Sequence, residues 1–352
     1  MASLRKRSVS PVLDRLDGRW RASARGPTPH EDGTRHPASA WDLRTLIAVP
    51  PAGAPFRYLN LNLTLGRTGT AFDRDAPARG AEPGDVLDLQ FCLEGLRGAA
   101  TEKRLGSVRR DLLYTPGTVA LQMGERLEIR GAWPRTRIAY RQPEAALELE
   151  MAIEAWPGLA WWTRLPGAYC HYTSFGTADL RWQWGSEGGR LELPVLHDHG
   201  WGRRMPAFGA PLRRFRYEVL RLEGDAHLLS LYTEGPAGVE LRSATILRRS
   251  AEEPPLAGGH TREVLEWETF ENHAGRACRV PRRWWAKRTG GAGELRYEAV
   301  RATEPRPVLG DGFLYAFDYS LETRGGGGPA GSRRIEGQGY AEQLGVGWAA
   351  HQ

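Results

Sequence analysis

The chain has 352 residues, 41% of them hydrophobic, enough for about two domains with real cores and too apolar for a wholly disordered protein. Its 43 glycines and 24 prolines break up helical runs, so the composition points to an all-β protein rich in turns. The net charge of +6 rests on arginines dispersed among acids, in pairs such as Arg109-Arg110 and Arg282-Arg283, without a basic stripe interleaved with aromatics; this argues against nucleic acid as a partner.

Residues 1–39 read as a flexible basic arm, with a short amphipathic patch at Val12–Trp20. The arm starts basic but lacks an apolar h-region, and no window approaches the roughly 18 apolar residues of a membrane span. Cys92, Cys170 and Cys278, odd in number and far apart, fit a reducing compartment and buried thiols. The expectation is a cytoplasmic protein, with peripheral contact to an anionic membrane surface left open.

Strand-like runs begin at Trp41–Val49 and Phe56–Leu65, where Tyr58, Asn60, Asn62 and Thr64 alternate with leucines as in a half-buried strand. Further runs follow at Val86–Leu93, Leu112–Tyr114, Thr118–Gln122, Leu127–Gly131, Arg137–Tyr140 and Ala146–Ile153. A second series starts at Arg214–Leu222 and continues through His227–Tyr232, Val239–Arg248, Glu263–Phe270, Arg283–Lys287, Glu294–Ala299, Gly312–Leu321 and Gln338–Leu344. Short strands with regular turn signals argue for sandwiches or barrels. The predicted units are residues 40–205 and 206–352, divided where MPAFGAP (205–211) breaks regular structure. Gly258-Gly259 and Gly325–Gly328 read as hairpin tips or loops.

Between the two series lies the densest chemical signal, LELPVLHDHGWG, residues 191–202. Leu191, Leu193 and Val195 alternate with Glu192 and Pro194; continued, the period places His197 and His199 on one strand face and Asp198 on the other. Thirteen tryptophans, several paired as Trp161-Trp162, Trp182-x-Trp184 and Trp284-Trp285, suit an aromatic cavity for a hydrophobic small molecule.

Asp198-His199-Gly200-Trp201-Gly202, ending a strand just before a second β unit, resembles the Asp-His-x-Trp-Gly element of the carotenoid 1,2-hydratase (hydroxyneurosporene synthase)/AttH-like superfamily, which includes kievitone hydratase and lipocalin-like Diels-Alderases. Phe175-Gly176-Thr177-Ala178-Asp179-Leu180 fits the strand leading into that element. Gly337-Gln338-Gly339-Tyr340-Ala341-Glu342 is similar to the family's closing strand. The resemblance covers roughly residues 41–348 and implies two lipocalin-like (calycin) β-barrels side by side, with few short helices and a ligand cavity at or near their junction. The family's Tyr-x-Asp, which supplies the proposed acid, is matched by Tyr232-Thr233-Glu234, a glutamate in place of the aspartate.

On this reading the chain is a cofactor-independent hydratase, isomerase or cyclase acting on a polyene, terpenoid or polyketide. Glu234 is the candidate acid, its pKa raised by burial. Trp201, Trp182 and Tyr232 would stabilise a carbocation, and His199 would position or deprotonate water. Asp198 completes the candidate catalytic set, although its opposite direction suits a structural partner of a backbone N–H or of Arg203. Trp184, Tyr172, Tyr217, Tyr315 and Asp318 are candidate cavity residues, and Tyr315, Asp318 and Tyr319 form a second acid set. Each has a plainer reading: His199 as a hydrogen bond across the domain junction that holds Trp201 in place, and Trp182 with Trp184 as core packing. Two alternatives stay open: a non-catalytic lipid or terpenoid carrier, and a metal enzyme using His197-x-His199 completed by His171 or Glu234. No cofactor is expected on the preferred reading.

Overall fold

The computed structural model describes residues 22–23, 27, 41–66, 85–96, 98–114, 119–165, 169–202, 214–234, 240–272, 275–290, 294–308, 312–324 and 333–345. Two antiparallel sheets organise them. The first contains β1 (Ala22–Ser23), β2 (Trp41–Ala48), β3 (Phe56–Gly66), β4 (Val86–Gly95), β5 (Gly98–Ser107) and β6 (Leu113–Tyr114). It continues with β7 (Val119–Met123), β8 (Leu127–Ala132), β9 (Arg135–Gln142), β10 (Leu147–Leu165), β11 (Tyr169–Trp184) and β12 (Glu187–Gly202). Its order is β5-β4-β3-β2-β12-β11-β10-β9-β8-β7-β6, with β1 attached to β10, and it curls into a half-barrel.

The second sheet contains β13 (Arg214–Arg221), β14 (His227–Glu234), β15 (Glu240–Arg248), β16 (Leu256–Glu271) and β17 (Ala277–Thr289). It ends with β18 (Glu294–Arg301), β19 (Arg306–Val308), β20 (Gly312–Arg324) and β21 (Arg333–Gly345). Pairing of β18 with β20 closes this sheet into an eight-stranded barrel, which leaves those strands without a free edge. Two side-by-side lipocalin-like β units are therefore the architecture.

The main apolar clusters among the described residues follow from the period of two along the strands. Leu59, Leu61, Leu63 and Leu65 of β3 fill the half-barrel together with Leu89 and Phe91 of β4. Leu220, Leu228, Trp284, Tyr297 and Phe317 belong to the apolar cluster of the closed barrel. Between them Ile47, Trp156, Trp162, Phe175 and Leu196 meet Tyr217, Val219, Leu229, Leu231 and Ile246. Each such side chain contributes on the order of 1.5–3 kcal/mol relative to exposure, so the junction is a core in its own right. Arg306 adds a two-pronged ion pair across it to Glu94, at 3.0 and 3.1 Å.

The junction corrects the expectation for β3. Tyr58, Asn60, Asn62 and Thr64 alternate with the leucines as predicted, but they are buried too, because the outer face of the half-barrel is covered. Strands are also longer than their sequence runs: β10 spans 19 residues and β16 spans 16. Gly258-Gly259 is not a hairpin tip but lies inside β16, where a Cβ on Gly258 would meet the Thr289 carbonyl oxygen at 2.6 Å. Gly98–Ser107, which no apolar period marks, forms β5, and Ala22–Ser23 of the expected arm pairs with Leu159–Ala160. The Val12–Trp20 patch, residues 205–211 and Gly325–Gly328 lie outside the described residues.

Candidate functional site

β12 runs between β11 and β2, so each motif residue has two fixed neighbours: Thr45 and Thr173 for Asp198, Arg44 and Tyr172 for His199, Asp42 and Cys170 for Trp201. Alternation sends the histidines and the aspartate to opposite sides of the sheet, as the spacing predicts. The two sides form different environments.

On the half-barrel side, His199 is completely buried, with Nε2 3.1 Å from Asp42 Oδ1 and Nδ1 3.3 Å from Tyr172 Oη. Taken as a carboxylate, Asp42 only accepts; Nε2 then donates to it and Nδ1 accepts from the Tyr172 hydroxyl, which fixes one tautomer. Trp201 packs 4.8 Å from the His199 ring, and Trp161 meets both Tyr172 and Trp201 edge-on. His197 stacks 6.3 Å from His199; burial, then the Arg44 charge, holds it well below the ordinary histidine range. His197 and Arg44 also line a cleft walled by Leu46, Leu61, Ile138 and Ile153. Its cavity volume is about 40 Å³.

On the junction side, Asp198 accepts hydrogen bonds from Thr173 Oγ1 and, at 3.3 Å, from Tyr217 Oη of the second unit. Trp162 Nε1 donates to the same Thr173 hydroxyl at 2.6 Å. Burial pushes Asp198 up to about 7 against the opposing pull of its two hydroxyl partners. His171 Nε2 lies 3.9 Å from Asp198 Oδ2, and burial pulls it down to about 3, so this pair holds its proton on the acid. Glu342 stands opposite Tyr217 in the β13–β21 register and accepts from Tyr340 Oη at 3.3 Å; Asn60 of the first unit donates to that hydroxyl at 2.9 Å. Burial, then the charge of Asp198, raises Glu342 to about 7. Two carboxyls from opposite units thus titrate near neutrality in one buried centre, which is the condition a general acid needs at physiological pH.

Tyr172, Trp201 and His199 come together, and Asp198 joins Tyr217. The remaining candidates lie elsewhere. Glu234 and Tyr232 share the inward face of the closed barrel, where Tyr232 Oη donates to Glu234 at 2.9 Å and Arg216 sits 5.0 Å above the tyrosine ring. Glu234 and His199 therefore do not face one pocket, because β14 turns its even positions into its own barrel and β12 turns its odd positions into the other. Tyr315 is buried inside the closed barrel, against Trp284. Asp318 is exposed and paired with Arg57 at 2.9 Å, so the Tyr315, Asp318 and Tyr319 set is not assembled. Trp182 and Trp184 lie at the far end of β11, roughly 33 Å along the strand from Tyr172, beside a surface groove with Pro55 and Leu96.

The expectation that His199 crosses the junction is corrected: Asp198 does so, and it bonds hydroxyls, not a backbone N–H. Among the described residues no three His, Cys, Asp or Glu side chains converge as a metal-ligand set. Asp42, Arg44, Thr173 and Glu342 were not singled out from sequence for a role in a site, whereas Trp162 was named with Trp161 as a cavity tryptophan. Glu342 carried a usable signal, a lone acid within a Gly-x-Gly-Tyr-x-Glu strand; Asp42 and Thr173 carried none.

A half-barrel and a closed barrel joined across buried acids define a tandem lipocalin-like protein. The chain belongs to a family of unknown function, DUF6670, which matches residues 106–346. Its fold is shared by solved structures that are 10% identical to it. A candidate AttH protein of Nitrosomonas europaea aligns with 10% identity over 87% of this chain and 92% of its own, TM-score 0.59. Kievitone hydratase from Nectria haematococca aligns with 10% identity over 94% and 98%, TM-score 0.58. CghA in complex with Sch210972 gives 10% identity over 94% and 98%, TM-score 0.54. Among curated proteins, none matches the chain in sequence.

Proposed function

We propose that the chain is a cofactor-independent hydratase or cyclase for a hydrophobic polyene, terpenoid or polyketide, with Asp198 as the proton donor. The observation that carries this reading is the hydrogen bond from Tyr217 of the second unit to Asp198 of the first, with Glu342 opposite that tyrosine and both carboxyls pushed up to about 7 by burial. The fold shared with kievitone hydratase supports the hydratase class. Glu234, hydrogen-bonded to Tyr232 inside the other barrel, is replaced in the acid role.

In hydration, the protonated Asp198 gives its proton to an alkene carbon, and the faces of Trp162 and Tyr217 oppose the positive charge that develops. Water then adds to the cation, and its released proton returns to the carboxylate pair, with neutral His171 beside Asp198 as a relay. His199, Asp42 and Trp201 act from the other side of β12 by holding that strand in place. In cyclisation the same centre would hold a folded substrate, and the gain would come from orientation.

The test uses the purified chain with kievitone and with an acyclic polyene, in H₂¹⁸O and separately in D₂O. Hydration places one ¹⁸O and one carbon-bound deuterium in each product molecule; cyclisation places neither. Asp198→Asn and Glu342→Gln should retain binding and lose at least a hundredfold in turnover. Full turnover in both variants would sink the acid assignment, and saturable binding by the wild type without any product would favour a carrier.

A further inference from the structure

The closed barrel holds a second polar centre that the junction chemistry does not use. Glu218 on β13 is completely buried and accepts from Tyr297 Oη at 2.6 Å; Arg262 Nε of β16 lies 2.9 Å from it and Arg216 Nε 3.5 Å. Two guanidinium groups thus share one carboxylate, leaving this group of side chains one positive charge in excess. Arg262, its side chain 2% exposed, has its Cζ 4.7 Å from the centre of the Trp284 ring, and Trp284 meets Tyr315 edge-on at 6.1 Å.

Several donors of this centre point at nothing. Nη1 and Nη2 of Arg262, Nε1 of Trp284, the Tyr315 hydroxyl and both His260 ring nitrogens are buried without a hydrogen-bond partner among the described residues. Leaving a buried donor unsatisfied is unfavourable, and an excess charge more so. The carboxylates of Glu234 and Glu268 are engaged elsewhere: Glu234 takes the Tyr232 hydroxyl, and Glu268 is paired with Arg301 and Arg282. The interior of an eight-stranded barrel has room for one small ligand at most.

We propose that the closed barrel binds one small organic monocarboxylate, its two oxygens on the Nη1/Nη2 edge of Arg262 and on the Trp284 and Tyr315 donors, its hydrocarbon part against Phe317. A monoanion balances the single excess charge, and the planar carboxylate matches the guanidinium fork. Phe317 stands 5.1 Å from the Trp284 ring and supplies an apolar wall. The site is separate from Asp198 and does not depend on the reaction proposed there.

Sodium benzoate and sodium acetate, titrated calorimetrically into the full chain with sodium chloride as ionic control, test the proposal. The expected result is saturable binding of one benzoate or acetate per chain, without a matching response to chloride. Tyr315→Phe removes a hydroxyl that has no partner among the described residues, so it should fold like the wild type and still bind roughly tenfold more weakly. Arg262→Lys keeps the charge and removes the fork, and should lose more; if it fails to fold, Tyr315→Phe decides alone. No saturable binding of either acid, an equal response to chloride, or undiminished affinity in Tyr315→Phe would overturn the proposal.

Discussion

Replacing Asp198 by asparagine removes a carboxyl that the junction holds in its neutral form by burial. A carboxyl moved from its ordinary 3.8 to about 7 favours the protonated folded state by about 4 kcal/mol, at 1.36 kcal/mol per pH unit. The folded chain keeps this proton between those two values while the unfolded chain releases it. Stability from Asp198 is therefore full below about pH 4 and is lost as pH rises through 7. Asparagine has no proton to lose, and its carbonyl oxygen can still accept from Thr173 and Tyr217. Urea unfolding at pH steps from 4 to 8.5 should show the variant gaining on the wild type by roughly 2–4 kcal/mol across that range. His171 and His260, both held down to about 3, pull the other way below about 6.5, so the difference between variant and wild type isolates Asp198, not the raw curve. Glu342→Gln should behave similarly, and the double variant should gain less than the sum, because the charge of Asp198 helps to raise Glu342. Parallel stability curves for wild type and Asp198→Asn would refute the buried-acid argument.

Three further outcomes are expected. Gly339→Ala should cost about 1–3 kcal/mol in calorimetric unfolding, because its Cβ would fall 2.3 Å from Phe317 Cζ and 2.7 Å from the Val219 carbonyl oxygen; an unchanged melting temperature would contradict that packing. Tyr297→Phe withdraws a 2.6 Å hydrogen bond from the buried Glu218 carboxylate and should cost about 1.5–3 kcal/mol at pH 7, a loss below about 0.5 kcal/mol being the contrary result. Asp42→Asn puts an amide that can donate opposite His199 Nε2, so ¹⁵N NMR should show the ring proton moving to Nδ1; an unaltered tautomer would show that Asp42 does not set it.

Much of the fold could be read locally. The two strand series, the all-β class and the division of sides along β12 follow from a period of two that each segment carries by itself. The site was legible in part. His199 and Trp201 were found together with Tyr172, and Asp198 was placed on the opposite face, but its weight was underestimated because nothing in residues 191–202 tells which face meets the second barrel. Glu234 was chosen as the acid from a matching tripeptide, and a tripeptide does not say into which barrel its strand turns. Glu342 lies 144 positions beyond Asp198, and only the β13–β21 pairing brings it opposite Tyr217.

The amino-acid sequence determined the period, and the period determined which residues share a face: His197 with His199, Asp198 with Leu196, Arg216 with Glu218. Tertiary structure decided what each face meets. The polar side of β3 reads like a solvent face and is buried because a second unit covers it, since alternation records a difference between two faces and not the environment of either. The same covering takes Asp198 and Glu342 out of water and moves both toward neutrality. Desolvation is a property of the assembled junction, so the acid centre exists only once both units are folded against each other.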